Sequence, residues 1–145
     1  MFQHILIPTD GSDLSLRALD TGIELAARLG ARVHAFHVIA PFPASTYFAQ
    51  FVLANEPVYT QEATANAERY LAVARQRAAA AGVSCESSCE FDARPYSAIV
   101  GAARKHQCDL IVMASHGWRG FDRLLLGSET HKVILNGDVP VLVCR

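Results

Sequence analysis

Five short apolar runs alternate with segments of helical period, and that alternation narrows the accessible folds more than any other feature of this chain. The runs are His4 to Thr9 (HILIPT), Arg32 to Ile39 (RVHAFHVI), Val83 to Phe91 (VSCESSCEF), Asp109 to Ser115 (DLIVMAS) and Val139 to Cys144 (VPVLVC). Each is strand-sized and mostly β-branched or aliphatic. Between them, Leu19, Ile23, Ala26 and Leu29 recur at three and four and end at Gly30, a C-cap residue. Ala63, Ala67, Tyr70, Leu71, Ala74 and Ala78 do the same up to Gly82. Pro95 reads as a first-turn proline ahead of Ile99, Val100 and Ala103, and Ser128 opens a last short helix that stops near Asn136 and Gly137.

A βαβαβαβαβ order implies a parallel sheet with helices on both faces. The expected fold is α/β: one doubly wound, Rossmann-like, five-stranded parallel sheet. Polarity orders its strands. The first and fourth runs are the most continuously apolar and belong in the middle. The third carries Ser84, Glu86, Ser87, Ser88 and Glu90, which suits an edge. The fifth follows the fourth by a right-handed crossover. The order 3-2-1-4-5 satisfies all of this and puts the topological switch between strands one and four.

At 145 residues the chain is about one domain long, and a single domain over residues 1–145 is expected. With 51% hydrophobic and 19% charged residues it is neither disordered nor fibrous. A chain of this length buries roughly 70% of its unfolded surface, so its core needs no disulfide or metal. Thirteen Lys and Arg against fourteen Asp and Glu leave a net charge of −1, with no basic excess for nucleic acid. The longest apolar stretches fall far below the ~20 residues of a membrane span. The opening MFQHILIPTDGS has no basic n-region for a signal peptide. Cytoplasm is the expected compartment, with neither nucleic acid nor membrane as partner. Cys85 and Cys89, four steps apart on one strand, are separated by roughly 13 Å, too far for a disulfide. Cys108 and Cys144 stand alone, and all four read as buried or inert thiols.

Pro41 to Pro57 is the irregular part. Tyr47, Phe48, Phe51 and Val52 fall at helical spacing, so a short extra helix is expected there. It would pack over the sheet, form a lid beside the site, or join an oligomer contact.

In open α/β sheets, ligands bind outside the carboxyl ends of the strands at the switch. That rule selects two loops, PTDGS (Pro8 to Ser12) and ASHGWRGFDRLLLGS (Ala114 to Ser128). The second holds Gly117, Gly120 and Gly127 and runs from a strand into a helix. A helix N-terminus offers unpaired N–H groups and partial positive charge, which favours phosphate. Glycines let the backbone approach a ligand closely. The alternative is a plain glycine-rich loop with Ser128 as N-cap.

These segments resemble the universal stress proteins, and the likeness spans nearly the whole chain. It is carried by HILIPTDGS, by HV at the end of strand two, by DLIVMASHG, by LLLGSET and by the closing VPVLV. The family's nucleotide-binding branch has G-x-x-G, nine residues, then G-S or G-T. Here Gly117 is followed by nine residues and then by Gly127 and Ser128, but Ala114 stands in place of the first glycine. The resemblance implies that Gly117, Gly127, Ser128 and the Glu129 backbone cradle phosphates. It implies that Met113 and Ala114 lie against a ribose and that the Val38 backbone reads an adenine edge. It sets Pro8, Thr9 and Asp10 beside the adenosine. The implied ligand is ATP, with or without Mg²⁺.

Two departures bear on that reading. The Ala114 methyl costs little, or about 1–3 kcal/mol if it clashes. Glu129 stabilises its helix terminus but competes with a phosphate unless it points away. Asp10 either contacts ribose or bound Mg²⁺, or fixes the Asp10-Gly11-Ser12 turn and helps cap the first helix. Arg119 and Arg123 reach phosphates or sit solvated on the surface. No Walker sequence, G-x-G-x-x-G or G-x-S-x-G is present. Ser115 and His116 are adjacent at a strand end and are expected to diverge. His34 and His37 face opposite sides of one strand and cannot share a metal. His131 reads as a surface group. Run five is apolar yet lies at an edge, which predicts a homodimer through Val139 to Cys144. The expected function is a stress-response protein that binds ATP as a regulatory ligand and signals to an unidentified protein partner. Its rivals are a dimeric scaffold that has lost nucleotide binding and a slow ATPase.

Overall fold

The computed structural model describes residues 1–43, 49–117 and 126–145, with the backbone alone for residues 49–53. Its elements are β1 (His4–Pro8), α1 (Asp13–Leu29), β2 (Arg32–Ile39), α2 (Ala49–Ala80), β3 (Cys85–Phe91), α3 (Pro95–Lys105), β4 (Leu110–Ala114), α4 (Ser128–Asn136) and β5 (Val141–Cys144). The strands pair in parallel in the order β3-β2-β1-β4-β5, as polarity predicted. β1 and β4 are buried along their length apart from half-buried Pro8, while no residue of β3 is fully buried.

Each strand sends alternate side chains to opposite faces. Ile5, Ile7, Val33, Ala35 and Val112 pack under α1 and α2 with Leu19, Ile23, Leu71 and Ala74. Leu6, Phe36, Ile111 and Met113 pack under α3 and α4 with Ile99, Val100 and Val133. Leu29, expected on the buried stripe of the first helix, is 40% exposed because the helix ends there at the left-handed Gly30.

The second helix departs from expectation. One helix of 32 residues runs from Ala49 to Ala80 and passes through Pro57. The short extra helix is thus not separate: Phe51 and Val52 belong to α2, and Tyr47 and Phe48 lie outside the described residues. The irregular segment expected up to Pro57 continues as helix, although proline removes an N–H and crowds the preceding turn. Residues 54–58 are exposed. Contact with the sheet begins further along, at Ala67, Leu71, Ala74 and Ala78.

All four cysteines are free, Cys85 and Cys89 being held apart along β3. Cys108 is buried and its thiol is pushed up to about 11 by that burial, whereas Cys89 is exposed. No helix among the described residues is long and apolar enough to cross a membrane.

Candidate functional site

β1 ends at Pro8, and the chain then turns sharply. Gly11 takes φ +78°, a left-handed conformation that glycine adopts without strain. Asp10 Oδ1 accepts the Ser12 N–H at 3.0 Å, and the Thr9 hydroxyl accepts the Gly11 N–H at 3.3 Å. Ser12 then caps α1 by accepting the Ser15 N–H. Asp10 therefore fixes the turn, as the structural alternative had it. Its second oxygen lies on the other side, against Gly117, where an added Cβ would overlap Asp10 Oδ2. The two loops selected by the switch-point rule thus meet, Asp10 from one and Gly117 from the other.

The end of β4 is held just as tightly. Gly127 donates its N–H to the Ser115 carbonyl at 2.8 Å, and a Cβ at Gly127 would overlap that same oxygen. The Thr130 hydroxyl donates to the Ala114 carbonyl at 3.0 Å. Gly127, rather than Ser128, occupies the N-cap position of α4 and gives no side-chain cap. The first intrahelical bond runs from the His131 N–H to the Gly127 carbonyl. The N–H groups of Ser128, Glu129 and Thr130 consequently have no partner within their own helix. They form a positive terminus at the crevice, while the Gly127 N–H is already committed to Ser115. Ser128 is exposed; Met113 and Ala114 are buried at the β4 end.

Glu129 does point away. Oε2 accepts the Tyr96 backbone N–H at 2.9 Å, and Oε1 pairs with Lys132 Nζ at 3.0 Å. Its charge serves the first turn of α3, whose own N-cap, Arg94, makes no side-chain cap. Arg119 and Arg123 lie outside the described residues.

Two neighbouring side chains were not read as part of the site. His37 Nδ1 lies 2.7 Å from the Thr9 carbonyl oxygen. Because a carbonyl only accepts, Nδ1 carries the proton. The Tyr70 ring packs edge-on against His37, with centroids 5.3 Å apart, and fills the space where a Cβ at Gly11 would go. Tyr70 thus buttresses the first loop from α2. The HV dipeptide marked this position, but only for the backbone of Val38, which is half-buried beside Phe36.

Contrary to expectation, Ser115 and His116 do not diverge: Ser115 Oγ and His116 Nδ1 are 3.0 Å apart. Ser115 is itself buried. His34 and His37 face opposite sides as expected. His34 stacks on His106 at a centroid distance of 3.8 Å, while His37 meets Tyr70. His131 is exposed. No group of three metal-ligating side chains occurs among the described residues. A cleft of about 100 Å³ between Cys108, Ile111 and Val139 lies at the amino ends of β4 and β5, opposite the crevice.

A model of the universal stress protein family matches residues 1–145. Universal stress protein MJ0531 of Methanocaldococcus jannaschii is 34% identical over 147 aligned positions, covering all of this chain and 83% of the relative. Among solved structures, universal stress protein UspA from Lactobacillus plantarum matches with a TM-score of 0.83 at 26% identity, over 99% of this chain and 98% of that one. A universal stress protein crystallised in complex with cAMP matches with a TM-score of 0.73 at 31% identity, over 99% of this chain and 97% of that one.

Proposed function

Because the chain belongs to the universal stress protein family, we propose that it binds an adenine nucleotide, ATP with or without Mg²⁺, as a regulatory ligand between the ends of β1 and β4. The observation that carries this reading is the meeting of Asp10 with Gly117, so close that a Cβ at Gly117 would displace the Asp10 carboxylate. The residues present suit the ligand. Ser128, Glu129 and Thr130 offer amide donors at a helix N-terminus, as phosphates require. Glu129 keeps its carboxylate on Tyr96 and Lys132 rather than opposing them. A related protein of known structure holds cAMP, which shares the adenosine unit. In this reading Gly117, Gly127, Ser128 and the Glu129 amide surround the phosphates. Met113 and Ala114 border the ribose, Pro8, Thr9 and Asp10 flank the adenosine, and the Val38 backbone meets the base.

The proposed protein acts in the cytoplasm in stress response, as a homodimer through residues 139–144. Bound nucleotide would shift residues 41–57 or the dimer surface toward a protein partner. A ligand shifts only what it binds differentially, so hydrogen exchange of that segment should differ with and without ATP. It is read as a binder rather than a catalyst. Phosphate release that disappears in His116→Ala would instead favour a slow ATPase.

The decisive experiment denatures purified protein and chromatographs what it releases, followed by titration calorimetry with ATP. Stoichiometric adenine nucleotide is the expected result. Neither release nor uptake would overturn the reading in favour of a dimeric scaffold. The observation on that side is the Ala114 methyl, buried at the crevice where the nucleotide-binding branch carries glycine.

A further inference from the structure

The β1–β2 ladder has a definite phase. The Arg32 N–H donates to the Gln3 carbonyl at 3.0 Å, and the Thr9 N–H donates to the Phe36 carbonyl at 2.8 Å. Even-numbered residues of β2 therefore turn their backbone groups toward β1, and odd-numbered ones toward β3. The bond from the Asp92 N–H to the Ile39 carbonyl at 3.1 Å agrees with that phase. The next rung would run from the Val38 N–H to the Thr9 carbonyl. That oxygen accepts the His37 Nδ1 proton at 2.7 Å, and no Val38–Thr9 backbone bond occurs among the described residues.

We propose that His37 is a positioning residue that ends the ladder one rung early and keeps the Val38 N–H and C=O turned toward the crevice. An N–H and a C=O on one residue complement adenine, which presents a ring nitrogen acceptor beside an amino donor. Guanine presents the reverse pair on the corresponding edge. His37 would thereby set purine preference without touching the base. This inference rests on the nucleotide reading above for its ligand, but the ladder geometry stands by itself. Tyr70, edge-on to the ring, holds the imidazole in the orientation that reaches Thr9.

The test compares the wild-type chain with His37→Ala and His37→Asn. Asparagine carries an amide N–H close to where Nδ1 stands, so it should restore the bond. Amide hydrogen exchange by NMR reads the ladder directly and needs no nucleotide. The Val38 amide should exchange fast in the wild type and in His37→Asn. In His37→Ala it should slow by about tenfold or more as the Val38 N–H closes on Thr9. ATP binding should weaken about tenfold in His37→Ala, the worth of one hydrogen bond. It should return in His37→Asn, and the preference for ATP over GTP should shrink only in the alanine variant. Thermal unfolding of each variant checks that it is folded. A Val38 amide equally protected in wild type and His37→Ala, or ATP affinity unchanged in His37→Ala, would overturn the proposal. If the exchange contrast holds but the wild type takes up no ATP, the nucleotide reading fails, and with it the role of His37 in base preference.

Discussion

Glu129, in the first turn of α4, accepts the backbone N–H of Tyr96, in the first turn of α3, at 2.9 Å. Helix α3 starts at Pro95 behind an arginine that gives it no side-chain cap, so its cap comes from a residue 33 positions away. Removing a capping oxygen costs about 1 kcal/mol. Glu129→Ala should lower the midpoint of thermal unfolding by about 2–4 °C. Glu129→Gln, which keeps an acceptor oxygen, should recover part of that loss. An alanine variant that melts with the wild type would show that the contact contributes nothing.

The two crevice glycines should respond differently to alanine. At Gly127 the new methyl meets the backbone oxygen of Ser115, which is fixed by the end of β4. At Gly117 it meets a carboxylate of Asp10, the end of a side chain. Gly127→Ala should therefore destabilise by about 1–3 kcal/mol, and Gly117→Ala by much less. The Gly117 variant should instead weaken ATP binding, because Asp10 must rotate. Urea unfolding together with calorimetry separates the two effects, and equal unfolding midpoints would contradict the distinction.

Acid should destabilise the fold through His34. Its ring is buried between His106, stacked at 3.8 Å, and His4, edge-on at 6.1 Å. Nε2 is paired with Ser88 Oγ at 2.8 Å, and Glu86 Oε2 is 3.9 Å from Nδ1. Arg32 borders His4, and Lys105 lies near His34 on the α3 side. Burial, then the neighbouring His106 and His4, push the His34 pKa down to about 4. The unfolded ring titrates near 6.5, so the folded ring stays neutral where the unfolded one takes up a proton. The contribution is complete above about pH 6.5, falls as pH drops toward 4, and levels off below that. The expected loss is roughly 3 kcal/mol. Urea midpoints at several pH values should trace it, and His34→Gln should flatten the slope in that window. A slope unchanged by the substitution would assign the acid sensitivity elsewhere.

The open edge of β5 yields a test of assembly. Pro140 and Cys144 direct their carbonyls to β4, accepting the N–H groups of Ile111 and Ser115. By alternation, Val141 and Val143 turn their backbone groups to the open edge. Leu142 is 39% exposed beside them. Val143→Pro removes an outward N–H without removing a β4 rung, so it should convert the proposed dimer to a monomer that remains folded. Light scattering at micromolar concentration reads the outcome. A wild-type monomer would remove the dimer from the proposed function.

The sequence alone determined the sheet order and with it the topological switch between β1 and β4. Continuous apolar runs at residues 4–8 and 110–114 could only be central, and the polar residues of Cys85–Phe91 could only be peripheral, because burial sorts strands by how many faces are covered. The glycines at 117 and 127 marked the closely approached backbone. Tertiary structure decided the partners. Whether Glu129 faced a ligand or Tyr96 depended on where α3 starts relative to α4. Whether His37 ended a ladder depended on the phase of β2 against β1 and on Tyr70 behind it. That the second helix runs on through Pro57 is visible only in the folded chain. Periodicity records which face a residue occupies. It does not record which residue of a distant element stands opposite, because that is set by strand phase and helix placement once the whole chain has packed.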